Sequence, residues 1–207
     1  SDTSMAGAWA HLLDVPKLIA WLATNPDRLH PKLICIPSGL SNTTLQGNSN
    51  KEKLITNAWE SQIGTTRKYL IYINLSSSTN ISRSGAINTL KKGINNKKIL
   101  FSKRKAFEDY LMDISQSEFI LSPPGNGLDC HRTWEALYMG AIPIVISSTL
   151  DPVFKDLPVV IVDSWNQITE QFLLEKKEEF SKRKFNINKL YMPYWEELIE
   201  ILGNNEI

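Results

Sequence analysis

The residues of this chain best suited to chemistry fall between positions 122 and 135. The run Ser122-Pro123-Pro124-Gly125-Asn126-Gly127-Leu128-Asp129 lies between an apolar, strand-like stretch and a helix-like one. Its two glycines let backbone amides approach a ligand with no Cβ in the way. A helix starting near Asp129 aims about half a positive charge and several unpaired N–H groups at this loop. That combination suits a phosphate or diphosphate. Arg132 and Glu135 are three residues apart and so share a helix face. Arg132 could grip phosphate oxygens through a two-pronged, charge-assisted bond. Glu135 could accept hydrogen bonds from two ribose hydroxyls, and His131 could donate to a phosphate or a sugar hydroxyl.

Each piece has a plainer alternative. A Pro-Pro-Gly-Asn-Gly loop is an ordinary tight turn. Arg132 and Glu135 could form an exposed ion pair, contributing about 0.3–0.5 kcal/mol. His131 could be a surface or capping residue. Cys130-His131 has metal-ligand residue types, but no second pair stands at suitable spacing, so no metal site is expected. A dinucleotide site fares poorly: Gly125 and Gly127 supply two glycines of that pattern, but Cys130 stands in the third place.

The surrounding segments must hold this loop. Tyr69–Leu75, Lys98–Phe101, Glu118–Leu121, Ile142–Ile146 and Val159–Val162 read as strands. Helices are expected at 54–63, 83–92, 106–115, 129–139, 165–175 and 192–202, with Gly140 closing the fourth in a left-handed conformation. Strands alternating with helices indicate an α/β fold, a Rossmann-like parallel sheet with helices on both faces. Runs such as Ile142-Pro143-Ile144-Val145-Ile146 fit strands buried on both sides. Upstream, Asp14 with Pro16 reads as the start of a helix over 14–23 that ends at Asn25-Pro26, followed by a strand at 32–37. Positions 41–53 are polar and read as a linker, so a boundary is expected near 55: residues 1–55 before it and 56–207 after it.

The composition is that of a globular protein, with 42% hydrophobic and 22% charged residues in a chain of 207. The formal net charge of +1 gives no basic field for general nucleic-acid binding, so an anionic ligand needs a local site. Two cysteines are too few for a disulfide framework. No apolar run approaches the roughly 18 residues needed to span a bilayer, and no signal peptide opens the chain. A cytoplasmic location is the expectation, with the Golgi lumen as the alternative if an anchor precedes the chain.

The stretch from Phe119 to Ile146 resembles the C-terminal motif of exostosin-type glycosyltransferases. That motif is a strand ending in a Pro-Gly loop, then Arg, an acidic residue three further on, Ala-Leu, Gly and Ile-Pro. Here these are Pro124-Gly125, Arg132, Glu135, Ala136-Leu137, Gly140 and Ile142-Pro143. A weaker likeness extends upstream through Tyr72-Ile73-Asn74, Ser78-Thr79-Asn80 and Arg83, and through His30–Gly39. The resemblance implies the nucleotide-sugar-binding, C-terminal half of a GT-B fold, with the tail of the N-terminal half before it. It implies transfer of a sugar from a nucleotide diphosphate sugar to a glycan hydroxyl, with no cofactor and no required metal. Arg83, Arg132 and Glu135 would be the catalytic set. The donor would be bound by Asn74, Thr79, Asn80, Arg83, Ser122, Pro124, Gly125, Asn126, Gly127, Asp129, His131, Arg132 and Glu135. A first half that supplies the catalytic base is mostly absent, although Asp2 or Asp14 could serve; another domain or chain would complete the acceptor side. The competing expectation is a non-catalytic nucleotide- or glycan-binding module of the same fold, and a nucleotide-dependent epimerase or dehydrogenase is third.

Overall fold

The computed structural model describes residues 9–41, 51–63, 66–76 and 78–204, with the side chain of Glu52 set aside. Asp2 and the centre of the polar stretch, 42–50, lie outside the described residues.

Two short strands open the described chain. β1 (Trp21–Ala23) pairs in parallel with β2 (Leu33–Cys35) as a separate two-stranded sheet. The helix expected over 14–23 does not form. Asp14 instead ends a 3-10 turn, Ala10–Asp14, and Val15 is extended at φ −69°, ψ 124°. Val15 precedes Pro16, whose ring disfavours a helical conformation for the residue before it. The chain is then free to pair Trp21 with Leu33.

α1 (Lys51–Gln62) follows and runs across residue 55, where the sequence suggested a boundary. The rest alternates: β3 (Tyr69–Ile73), α2 (Ser82–Gly93), β4 (Ile99–Phe101), α3 (Phe107–Ser115), β5 (Ser117–Leu121), α4 (His131–Tyr138), β6 (Ile142–Ile146), α5 (Asp151–Phe154), β7 (Val160–Val162), α6 (Glu170–Ser181) and α7 (Met192–Asn204). Gly140 sits at φ +66°, the left-handed conformation that closes α4. The single helix expected over 165–175 is split into a 3-10 turn at Trp165–Gln167 and α6. Two caps explain the split. The Ser164 and Thr169 side chains each accept from a backbone N–H, of Asn166 and Phe172, and so start two helices.

β3 to β7 form one parallel sheet in the order β4-β3-β5-β6-β7. Alternate residues of the central strands feed opposite cores. Ile71, Ile73, Phe119 and Leu121 pack with Ala86 and Leu90 of α2 and with Leu173 of α6. Tyr72 and Ile120 pack with Ile55 of α1, Leu111 and Ile114 of α3, and Ala136 of α4. A third cluster joins Trp134, Val145 and Phe154 to Trp195 of α7 and to Cys35 of β2. The expected sheet with helices on both faces is therefore present.

The strand order places the site. The chain passes from β3 to β4 towards one edge and from β5 to β6 towards the other, so the crossovers part at the carboxyl ends of β3 and β5. In open α/β sheets ligands bind in the crevice such a switch leaves.

Candidate functional site

A cleft of about 470 Å³ opens at that point, within the range of a small-molecule site. The end of β3 contributes Asn74, the β3–α2 connection Thr79 and Arg83, and the loop after β5 Gly125, Asn126, Gly127 and Asp129. α4 adds His131, Arg132 and Glu135. These ten expected residues converge although they come from two crossovers.

Arg83 lies across the floor of the loop, 6% exposed. Its Nε donates to the Pro124 carbonyl at 2.9 Å and its Nη1 to the Ser76 carbonyl at 3.3 Å. A Cβ on Gly125 would stand 2.9 Å from Arg83 Nη2, so this glycine makes room for the guanidinium. Burial, and then the charge of Arg132, pull the Arg83 guanidinium below its ordinary value. It still carries its charge at any physiological pH.

Arg132 is anchored by one bond, Nη2 to the Asn74 carbonyl at 2.6 Å. Its Nε is buried and has no hydrogen-bond partner among the described residues. A buried unmatched donor costs about 1–3 kcal/mol, and the charge of Arg132 acts on a second cation, Arg83. Asn74 is itself fixed: its amide donates to Tyr72 Oη, Ser102 Oγ and the Lys103 carbonyl at 2.9, 2.8 and 3.1 Å.

Glu135 is also 6% exposed, so it is no surface charge. Tyr110 Oη donates to Oε2 at 2.9 Å, and Lys51 Nζ lies 3.9 Å from Oε1. Burial and the Glu135 charge push the Tyr110 phenol well above its ordinary value, so it stays a donor. Lys51 is held in turn by the Ser41 hydroxyl and by the Phe107 ring, 4.7 Å from its centroid. Lys51, Ser41, Phe107 and Tyr110, with Arg104 and Lys105, line the cleft and are not among the expected site residues. Nothing local in the sequence marks the Tyr110 hydroxyl as a partner for Glu135.

Three expected residues stand outside the cleft wall. Ser122 is 3% exposed and its hydroxyl bonds to Thr133 Oγ1 at 2.8 Å, tying β5 to α4. Pro124 contributes its carbonyl to Arg83. Asn80 spans the β3–α2 connection, its amide donating to the Gly125 carbonyl at 3.0 Å and its Oδ1 accepting from Ser82 N–H.

Two others reach the cleft with their polar groups engaged elsewhere. The Asp129 carboxylate accepts from Ser38 N–H at 2.7 Å and from Trp134 Nε1 at 2.8 and 3.0 Å. Burial raises its pKa, against these bonds, which lower it. His131 Nδ1 bonds to the Gly39 carbonyl at 2.7 Å. α4 starts at His131, two residues later than expected, because Cys130 is extended at ψ 135°.

Among the described residues no helix is long and apolar enough to cross a membrane. Among solved structures, the chain is similar to the UDP-GlcNAc 2-epimerase of Methanocaldococcus jannaschii, solved with UDP-GlcNAc and UDP, at 15% identity and a TM-score of 0.40. The likeness covers 84% of this chain and 55% of that one, so the chain spans about half the length of that enzyme. No curated protein sequence matches. A family model described as the RXYLT1 C-terminal domain matches residues 50–199. That span is more than half of the chain and holds Arg83, Arg132 and Glu135, and the chain belongs to this family of glycosyltransferase C-terminal domains.

Proposed function

We propose that the domain binds a nucleotide diphosphate sugar as the C-terminal, donor-side half of a GT-B-type glycosyltransferase, for transfer of the sugar to a glycan hydroxyl. The observation that carries this is the unmatched buried Nε of Arg132, beside Arg83 and at the switch point of the sheet. An anion between the two guanidiniums would satisfy the Nε and relieve their mutual repulsion.

The roles follow from the chemistry of each group. Arg83, Arg132 and the amino end of α4 meet the diphosphate. As the bond to the sugar breaks, negative charge grows on the departing diphosphate, and these fixed donors stabilise it electrostatically. Arginine charge serves that purpose without a metal or cofactor. Glu135, held by Tyr110, keeps oxygen lone pairs free to accept from ribose hydroxyls. Residues 9–41, with their own two-stranded sheet, are read as the tail of an acceptor-side lobe. That lobe, in another domain or chain, supplies the catalytic base and the acceptor.

The test is calorimetric titration with UDP and with GDP, followed by assay of sugar release from common nucleotide sugars. Binding abolished by Arg132→Ala supports the donor site. Failure of every nucleotide diphosphate to bind overturns it, and binding without release or transfer by the longest protein containing this chain favours a non-catalytic module.

A further inference from the structure

We propose that Asn25, from the β1–β2 connection, is a positioning residue of the loop after β5. The proposal rests on the donor-site reading and adds that residues before the family-matched span help to build that site. Asn25 is separated from Asp129 by 104 positions, yet Asp129 N–H donates to its Oδ1 at 2.6 Å. Asn25 adopts φ +51°, a left-handed conformation that few residues other than glycine and asparagine accept cheaply. Gly127 accommodates it: a Cβ there would lie 2.8 Å from Asn25 Oδ1.

Asn25 does not act alone on the loop. Ser38 N–H donates to Asp129 Oδ2 at 2.7 Å, the Gly39 carbonyl meets His131 Nδ1 at 2.7 Å, and the Thr149 hydroxyl donates to the Pro26 carbonyl. The β1–β2 unit thus fastens one flank of the loop while Arg83 and Asn80 fasten the other through the carbonyls of Pro124 and Gly125. A loop with two glycines loses much conformational freedom on ordering. Ordering it in advance removes that cost from ligand binding. It also accounts for Asp129, whose carboxylate serves the clamp and Trp134 and leaves the diphosphate to the arginines.

The whole chain is compared with its Asn25→Gly and Asn25→Asp variants. Glycine accepts the left-handed conformation and removes the side chain; aspartate keeps the accepting oxygen. Three quantities are read: UDP affinity by calorimetry, Tm, and amide hydrogen exchange over residues 126–130. Asn25→Gly is expected to weaken UDP binding about tenfold or more, to speed exchange over 126–130, and to lower Tm by no more than about 4 °C, the effect of one lost hydrogen bond. Asn25→Asp is expected to restore most of the affinity and the slow exchange. Unchanged exchange in Asn25→Gly overturns the proposal, as does unchanged affinity. If the parent chain binds GDP and not UDP, the affinities are read with GDP; if it binds no nucleotide diphosphate, the donor-site reading fails, and exchange over 126–130 alone decides whether Asn25 holds the loop.

Discussion

Arg67 and Arg132 sit at opposite ends of one sheet and meet opposite environments. At the amino end of β5, Arg67 Nη1 donates to the carbonyls of Ile114 and Ser117 at 3.1 and 2.6 Å, and Nη2 to the Met139 carbonyl at 2.9 Å. Two of these oxygens, of Ile114 and Met139, lie at the ends of α3 and α4, and the third, of Ser117, opens β5. The pairing completes itself within the protein. At the carboxyl end, Arg132 has one backbone partner for Nη2, a buried Nε with none, and another arginine nearby. Burial lowers the pKa of Arg67 and of Arg83 alike. The difference is that Arg67 is matched by carbonyl dipoles, while the charge of Arg132 acts on a second arginine, Arg83. On the function proposed above, one end of the sheet serves stability and the other a ligand.

That contrast can be broken by substitution. Arg67→Ala should produce the largest effect, a loss of about 3–4 kcal/mol in unfolding free energy, because it removes three charge-assisted hydrogen bonds to backbone carbonyls at once. Urea denaturation measures it, and a small loss would mean that water replaces the guanidinium without cost. Arg132→Ala should leave Tm nearly unchanged while reducing sugar transfer by about 3 kcal/mol in the barrier, roughly 150-fold. Arg132→Lys keeps a charge but removes the two-pronged fork, so it should recover little. If Arg132→Ala destabilised the fold as Arg67→Ala does, the two ends would not differ in kind.

Glu135→Ala is the next test. It should weaken nucleotide diphosphate binding about tenfold, near 1.4 kcal/mol, with the fold retained. Unaltered affinity would leave Glu135 as no more than the partner of Tyr110 and Lys51. The smallest effect concerns the thiols. Burial raises both cysteines, Cys35 to about 12, its own burial being joined by the Asp129 charge. A raised pKa means less thiolate at every pH below it, so alkylation at pH 8.5 should be slow at Cys130 and slower still at Cys35. Mass spectrometry follows both, and UDP should protect Cys130, which lines the cleft, and not Cys35.

The Pro-Gly loop, Arg132 and Glu135 were legible in sequence because residue type and spacing of three fix them on one helix face. The engagement of Ser122 by Thr133 and of Asp129 by Ser38 was not, since each is decided by which way a side chain turns once distant segments pack. The same holds for Lys51 and Tyr110 around Glu135.

The sequence by itself determined the alternation of strands and helices from Tyr69 onward, the left-handed Gly140 and the strand–loop–helix unit that carries the site. Those features depend on period, caps and backbone freedom, which act between neighbours in the chain. The tertiary structure alone decided the order β4-β3-β5-β6-β7, the pairing of Trp21–Ala23 with Leu33–Cys35 in place of a helix, and the contact of Asn25 with Asp129 across 104 positions. Such contacts are fixed by burial and hydrogen-bond satisfaction over the whole molecule, and no local pattern encodes their partners.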